Sequence, residues 1–205
     1  MLRSLRAIFI IFVLVFTAGC QAGRTYRMDL AYLPVQLPEL SKNLSQVPRL
    51  AVVLFQDVRV PPADVGYRIH LGGGTDLFKT DRAPIPQEVT EVVAEYLRLR
   101  GFDVKVFTGD EKPSRDANSP FNDIVEGTIE GLRVEARSNV GYTQVNSRVK
   151  LSSRIYNPKK RATQTVSAET QDESKIVLFN VDSVSRSLNQ VLAQAIEQMY
   201  KDAPF

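Results

Sequence analysis

The sequence has very few of the side chains on which most enzyme active sites depend. Its 205 residues include one cysteine, Cys20, and one histidine, His70. Without a second cysteine there is no intrachain disulfide, so stability must come from a packed core. With one histidine and no second thiol, a catalytic Cys–His pair and a His-rich metal site are excluded. We therefore predict that the protein is not an enzyme and requires no cofactor or metal.

The sequence also lacks an excess of either charge. It has 26 basic and 23 acidic side chains, and two of the basic ones, Arg3 and Arg6, lie in a leader at residues 1–19. The chain from Cys20 onward therefore carries 24 basic and 23 acidic side chains. This balance gives no support for nucleic-acid binding, which depends on a basic surface. The length suits a single domain of ordinary globular composition.

The leader has the pattern of a secretory signal. A basic start is followed by an uninterrupted apolar run at residues 7–16 and by small residues at 17–19. A transmembrane helix needs about 20 apolar residues, and this run is too short. We predict that residues 1–19 are a lipoprotein signal peptide, because the small residues lead directly into Cys20.

A cysteine at the cleavage point resembles the lipobox of bacterial lipoproteins, although Thr17 stands where that box usually has an aliphatic residue. In those proteins the thiol receives diacylglycerol, and the cysteine becomes an acylated amino terminus that carries palmitate. Gln21, rather than Asp, follows Cys20, which resembles the sorting pattern for the outer membrane. We predict lipidation at Cys20 and a membrane partner bound through that anchor, on the periplasmic face. The alternative is an ordinary signal peptide that leaves a free thiol.

The rest of the chain divides into a tether and a domain. Residues 20–48 are interrupted by Pro34, Pro38 and Pro48, which predicts a semi-extended tether after the acylated cysteine. Apolar residues in it, from Tyr26 to Leu37, predict a loosely ordered arm with some docking onto the domain surface. Residues 49–205 are predicted to form a single periplasmic domain.

Apolar periodicity predicts five strands and two helices in this domain, in the order β-α-β-β-β-β-α. The last helix has an apolar stripe that includes Leu188 and runs from Val181 to Tyr200, and Asn180 or Asp182 could cap it. Residues 143–156 alternate strictly, which is typical of an antiparallel strand with one buried face. The alternation of residues 123–137 changes phase at Gly131, which predicts a β-bulge there. We expect an α+β two-layer sandwich, with a mostly antiparallel sheet and two helices on one face. A small hairpin from Tyr67 to Leu71, returning through Leu77 and Phe78, is a further prediction.

Four other features have a structural and a functional interpretation. His70 is expected to be a solvent-exposed loop residue rather than a catalytic base. The glycines at 72–74 lack the remainder of a phosphate-binding loop and are interpreted as a flexible turn. The basic tip at residues 159–161 is either a soluble turn or a contact with anionic headgroups. The polar outward face of residues 144–154, with residues 161–167, is either solvated or a protein-binding surface.

The order of elements resembles a known family. The chain resembles the YajG-like bacterial lipoproteins in its lipobox and tether and in three later segments. These are the helix ending in YLRLRGFDVKVF, the strand DIVEGTIEGLRVE and the hairpin VNSRVKLSSRIYNPKKRATQTVSAE. The layout is also similar to that of the auxiliary lipoproteins of ABC-type lipid transport systems and, more distantly, of the lipopolysaccharide-assembly lipoprotein. The resemblance implies a small periplasm-facing α+β domain without catalysis, in which Cys20 is the one functional residue.

Two functions from different classes follow as hypotheses. The first is a non-catalytic accessory or assembly factor of the cell envelope, with an envelope protein as its partner. The alternative is a lipid-binding auxiliary component of an envelope transport system. An apolar groove between the helices and the sheet would favour lipid binding, and a filled core would favour the accessory role. A periplasmic hydrolase ranks last, and a pocket with converging Asp, Glu or His70 side chains would favour it.

Overall fold

The computed structural model describes residues 23–34, 47–60, 64–203 and 205. Within these residues the chain forms one mixed sheet of eight strands and two helices. In chain order the elements are β1 Thr25–Met28, β2 Arg49–Asp57, β3 Gly66–Ile69, β4 Thr75–Thr80, α1 Ile85–Leu99, β5 Asp103–Phe107, β6 Asp123–Asn139, β7 Tyr142–Asn157, β8 Ala162–Ile176 and α2 Val181–Tyr200.

The long strand β6 organises the sheet. Along its whole length it pairs antiparallel with β7, which pairs antiparallel with β8. On the other edge of β6, the first half pairs parallel with β2, and β5 adds to β2 in parallel. The second half pairs parallel with β3, which pairs antiparallel with β4, and β1 completes this side in parallel to β4.

The predicted antiparallel two-layer sandwich is therefore wrong, although the fold is α+β overall. Four strand pairings are parallel: β1 with β4, β2 with β5, β2 with β6, and β3 with β6. Between β2 and β5 the chain forms the β3–β4 hairpin and then α1, and α1 returns the chain to the end of the sheet at which β2 begins, so β5 runs parallel to β2. The predicted order also omitted β1. The hairpin from Tyr67 to Leu71 and back through Leu77 is confirmed as β3 and β4.

The main core lies between the helices and the sheet. Helix α1 contributes a fully buried stripe that includes Val89, Val93 and Leu97, and α2 contributes one that includes Leu188 and Ile196. The residues repeat at three- and four-residue spacing, which places them on one helix face. The predicted apolar stripe of the carboxy-terminal helix is confirmed. Its cap is confirmed as well, since the Asn180 side chain accepts from the backbone N–H of Asp182 at 2.9 Å.

The alternation in β7 sets the two faces of the sheet. Its odd-numbered residues from Val145 to Ile155 are buried against the helices, whereas its even-numbered residues point to the other face. The predicted bulge in β6 is confirmed, because the β6–β7 register shifts by one residue between Ile129 and Gly131. This shift keeps Val125 and Ile129 on the same face as Leu132 and Val134.

The outer face of the sheet is covered at one end only. Residues 108–122 fold over it and place Phe121 edge-on against Phe107, with ring centroids 5.5 Å apart. Ile124 and Ala51 complete this small second cluster. Beyond it, the outer faces of β6, β7 and β8 are not covered by any other described part of the chain.

Candidate functional site

The predicted lipidation site lies outside the described residues. Cys20 precedes the first described residue, Gly23, by three positions. The geometry of residues 23–34, called here the arm, therefore determines how close an anchor on Cys20 would hold the domain to a membrane.

The arm is part of the folded domain. Strand β1 adds to the sheet beside β4, and the N–H of Leu77 donates to the carbonyl of Arg24 at 2.8 Å. Met28, Leu30 and Tyr32 are each at most 5% exposed and belong to the main core. Part of the predicted tether is thus integral to the sheet. The prediction from the sequence is only docking onto the surface, and the two-residue spacing of these apolar residues is the signal that could have predicted the strand.

Glu88 and two residues of α2 hold the arm in place. The Glu88 carboxylate is 7% exposed and accepts from the backbone N–H groups of Leu30 at 2.9 Å and Ala83 at 3.0 Å. Asn189 accepts from the N–H of Ala31 at 3.2 Å and donates to the carbonyl of Asp29 at 2.9 Å.

The phenol of Tyr32 completes the attachment of the arm. It donates to Oε1 of Glu197 on α2 at 2.7 Å. Burial and this neighbouring carboxylate raise the pKa of Tyr32, so the phenol stays protonated and keeps its role as donor. The arm is therefore bonded to both helices.

His70 lies outside the strands, as predicted, but its side chain is partly buried, at 26% exposed, and is not simply solvated. Its Nε2 lies 2.7 Å from Oδ2 of Asp76, a carboxylate whose side chain is 3% exposed. The other oxygen of Asp76 accepts from the backbone N–H of Arg24 at 2.8 Å, and the Arg68 guanidinium lies at 4.0 Å. His70 thus belongs to a polar cluster that joins the start of the arm to the β3–β4 hairpin. Sequence reasoning missed Asp76, whose partner six residues earlier depends on formation of the hairpin.

The glycine run at 72–74 forms the turn of that hairpin. The N–H of His70 donates to the carbonyl of Gly74 at 2.8 Å, and the N–H of Gly73 donates back to His70 at 2.9 Å. Gly73 has φ +87°, a left-handed conformation that glycine adopts without strain. Backbone geometry therefore accounts for this residue.

The outer face of the sheet carries paired charges. Nε of Arg148 lies 2.7 Å from Glu169, and Nζ of Lys150 lies 2.8 Å from Glu130. The hydrogen bond from Lys150 is the largest influence on Glu130 and lowers its pKa, and the same contact raises the pKa of Lys150. Both groups are therefore charged at neutral pH. The predicted polar face exists, and its charges are balanced across neighbouring strands.

A groove of about 470 Å³ crosses this face where the 108–122 loop approaches the sheet. Arg115 and Lys112 line one wall, and Glu126 on β6 pairs with Arg115. The floor is formed by hydroxyl, amide and guanidinium side chains of β2, β6, β7 and β8: Gln56, Thr128, Ser152, Arg154 and Thr165. These groups offer both donors and acceptors, which suits binding of a polar surface.

The other titratable groups with shifted pKa values are part of the fold. Burial raises the pKa of Asp123, and a hydrogen bond from Asn157 partly offsets this effect. Burial also acts to raise the pKa of Asp57, but hydrogen bonds from Arg59 outweigh it and lower the pKa.

In the parts of the chain that the structure describes, no cluster of three His, Cys, Asp or Glu side chains could hold a metal ion. Neither of the described helices combines the length and apolar character needed to cross a bilayer.

The basic tip at residues 159–161 lies far from the start of the arm. It joins the carboxyl end of β7 to β8, whereas β1 begins beside the opposite end of the sheet. The 16 residues of β7 correspond to about 50 Å of extended chain. An anchor near Gly23 would therefore hold this tip away from the membrane.

Comparisons with known proteins give a fold and no family. No protein-family model matches the sequence, and no curated protein matches it. Protein XCC0632 from Xanthomonas campestris, of the DUF330 family, matches with a TM-score of 0.50 and 9% identity over 85% of this chain and 90% of its own. A PelC dodecamer from Paraburkholderia phytofirmans matches at 0.41, with 16% identity over 76% and 89%. Lipoprotein GNA1162 from Neisseria meningitidis matches at 0.36, with 9% identity over 68% and 91%.

At 9% identity, the likeness to XCC0632 shows a shared fold and nothing about activity. The structural neighbours include a bacterial lipoprotein and a DUF330 protein. The resemblance to the YajG-like family stays a prediction.

Proposed function

We propose that this protein is a lipid-anchored, non-catalytic accessory or assembly factor of a bacterial cell envelope, held at the outer membrane on its periplasmic face. The observation that carries this proposal is the junction between the lipobox and the arm. Five residues after Cys20 the chain enters the sheet at Thr25, so acylation would attach a folded domain to the membrane by a short link. Two acyl-chain attachments would make that anchoring stable. Kinship with the YajG-like lipoproteins is part of the same proposal.

The filled core supports the accessory role over lipid carriage. The side chains between the helices and the sheet, including Leu50, Ile129, Leu151 and Leu192, are less than 2% exposed. The groove of 470 Å³ lies on the other face of the sheet and is lined mainly by polar and charged side chains. A site for an acyl chain would instead be apolar and enclosed.

The outer face of β6, β7 and β8 is the proposed surface for an envelope protein partner. Its ion pairs and hydroxyl groups suit a polar interface, and Arg154 lies exposed beside the groove. Among the residues that line the groove, the carboxylate of Glu126 is paired with Arg115, which favours a binding role over general-base catalysis.

The test of this proposal is site-specific photocrosslinking in the native envelope. A photoreactive residue at Asn146 or Thr165, on the outer face, is expected to yield a crosslinked envelope protein that mass spectrometry identifies. The same residue at Gln190, on the exposed side of α2, is the matched control. Arg154→Glu should reduce the crosslink at Thr165, whereas Arg186→Glu on α2 should not. Equal crosslinking from Gln190, or none from the outer face, would contradict the proposed surface.

A further inference from the structure

Four chain segments meet at one end of the sheet, called here the proximal end. It consists of the start of the arm at 23–24, the β3–β4 turn at 70–74, the β6–β7 turn at 139–142 and the β8–α2 connection at 177–180. The register brings them together, because Ile69 pairs with Arg137, Thr143 pairs with Ile176, and Thr25 pairs with Leu77.

The proximal end exposes four large apolar side chains on three separate turns. Leu71 is 68% exposed, Val140 83%, Val177 79% and Leu178 82%. Elsewhere among the described residues, Val60 is 96% exposed, and the other exposed large apolar side chains are at most 58% exposed. Single exposed apolar residues are ordinary, but several on adjacent turns at one end indicate a contact surface.

The turns of the proximal end and the strand ends that adjoin them carry positive charge, and the neighbouring acids Asp76, Glu135, Glu173 and Asp182 lie just beyond these residues. Residues 23–25, 68–75, 137–144 and 174–181 contain no Asp or Glu. They contain Arg24, Arg137 and Lys175, all exposed, and the Lys175 ammonium lies 5.3 Å from the ring centroid of Tyr142. Exposed apolar side chains bordered by cations and a tyrosine are the composition of a surface that lies at an anionic lipid interface.

The turns are also joined to one another. The Arg68 guanidinium stacks 3.7 Å above the Phe179 ring centroid, and its Nε donates to Oγ of Ser138 at 3.0 Å. Phe179 packs against Tyr26 of the arm, with centroids 5.5 Å apart. One arginine thus connects β3, β6 and the β8–α2 connection, which presents the apolar side chains as a single surface.

The position of Cys20 indicates that a lipid surface covers the proximal end. Three residues of extended chain reach about 10 Å, so an acylated Cys20 keeps Gly23 within that distance of the bilayer surface. Among the described segments, those of the proximal end lie beside Gly23. The Gly23 backbone approaches the β3–β4 hairpin so closely that a Cβ added to it would lie 2.1 Å from the carbonyl oxygen of Thr75. The proximal end must then face the lipid.

We propose that the proximal end is a second membrane contact, in which Leu71, Val140, Val177 and Leu178 insert among the headgroups of an anionic phospholipid surface. This inference rests on the proposed function, because the anchor on Cys20 supplies the orientation. The contact fixes the direction of the domain, with the β7–β8 tip pointing away from the membrane and the outer face of the sheet open to a partner.

The absence of tryptophan from the sequence makes a direct test available. Leu71→Trp and Val140→Trp each introduce a single reporter at the proximal end, and Val60→Trp is the matched control at an exposed site elsewhere. The acylated protein is reconstituted into vesicles of phosphatidylethanolamine and phosphatidylglycerol, with or without bromine on the acyl chains. We expect brominated lipid to lower the fluorescence of the proximal reporters by about twofold or more, since interfacial groups reach about 5–10 Å into the headgroup boundary. The Val60→Trp signal should not change.

The outcomes separate this inference from the proposed function. Acylated protein whose proximal reporters are not quenched overturns the membrane contact and leaves the anchor intact. Blue-shifted emission without quenching also overturns it, because a second copy rather than lipid then covers the surface. If mass analysis finds no acylation, the proposed function fails. The Cys20→Ser protein mixed with the same vesicles then tests the membrane contact without the anchor. Quenching of the proximal reporters would support the contact, and unchanged fluorescence would overturn it.

Discussion

Replacing Glu88 with alanine is expected to loosen the amino-terminal arm from the domain. The carboxylate lies in the first turn of α1 and is 7% exposed. Its Oε2 accepts from the N–H of Leu30 at 2.9 Å, and its Oε1 accepts from the N–H groups of Ala83 at 3.0 Å and Arg82 at 3.2 Å. Three backbone donors from two segments therefore depend on one side chain.

The expected loss of stability follows from these contacts. A hydrogen bond to a charged group contributes about 1.5–3 kcal/mol net, and contributions within one cluster do not add fully. The carboxylate also lies near the positive end of the α1 dipole, which adds about 0.3–1 kcal/mol. We expect Glu88→Ala to lower the free energy of unfolding by about 3–5 kcal/mol. Glu88→Gln keeps one acceptor oxygen and should cause about half that loss.

The assay combines urea unfolding with amide hydrogen exchange on the unacylated Cys20→Ser protein. Exchange should accelerate at residues 23–34 in Glu88→Ala, while amides in the middle of β6 and β7 stay protected. Glu95→Ala is the matched control, since Glu95 is an exposed acid on the same helix. A surface substitution of this kind should change stability by less than about 0.5 kcal/mol.

Two results would refute this reasoning. Equal urea midpoints for Glu88→Ala and Glu95→Ala would mean that the three hydrogen bonds do not stabilise the fold. A clear loss of stability with unchanged exchange in residues 23–34 would mean that Glu88 supports only the start of α1 and not the arm.

Three further predictions concern stability. Leu188→Ala should lower the free energy of unfolding by about 2–5 kcal/mol because it empties fully buried space, and a wild-type thermal midpoint would show that α2 does not pack inward. Asp57→Asn removes half of a buried ion pair with Arg59 and should cost about 3–5 kcal/mol at neutral pH. The folded state lowers the pKa of Asp57, so the difference in unfolding free energy between wild type and Asp57→Asn should persist above about pH 4, the usual pKa of an unfolded Asp. It should shrink as the pH falls through the lower pKa of the folded state, and a pH-independent difference in urea unfolding would contradict this prediction. Gly66→Ala should cost about 1–3 kcal/mol, because its Cβ would lie 1.8 Å from a carbonyl oxygen of β6. Gly72→Ala, which has open space, is its control, and equal thermal midpoints would contradict the close approach.

Local patterns predicted the strands and helices well where burial alternates strongly. The strict alternation from Thr143 to Tyr156 assigned the buried face of β7, and the phase change at Gly131 located the bulge in β6. The apolar stripe through Leu188 gave α2, and Asn180 gave its cap. In each case the signal lies within a single element, so neighbouring residues suffice to read it.

The strand pairing and the polar clusters depend on contacts between distant segments. Nothing within β2 specifies that it lies between β5 and β6, since a buried strand has the same apolar pattern in parallel and antiparallel sheets. The incorporation of Met28 and Leu30 into the core depends on Glu88, which lies 58 residues after Leu30. The buried state of Asp76 likewise requires His70 and the N–H of Arg24 to reach it from separate segments. Charge pairs on the outer face could be listed from the sequence but not matched to one another.

The most direct test of the central claim is the mass of the amino-terminal peptide from protein isolated from its own membranes. We predict that residues 1–19 are absent and that the peptide begins at Cys20 with diacylglycerol on the thiol and a fatty acid on the amine. We also expect Cys20→Ser to move the protein to the soluble fraction with its thermal midpoint unchanged. A peptide with a free Cys20 thiol, or a Cys20→Ser protein that remains in the membrane fraction, would contradict the lipid anchor.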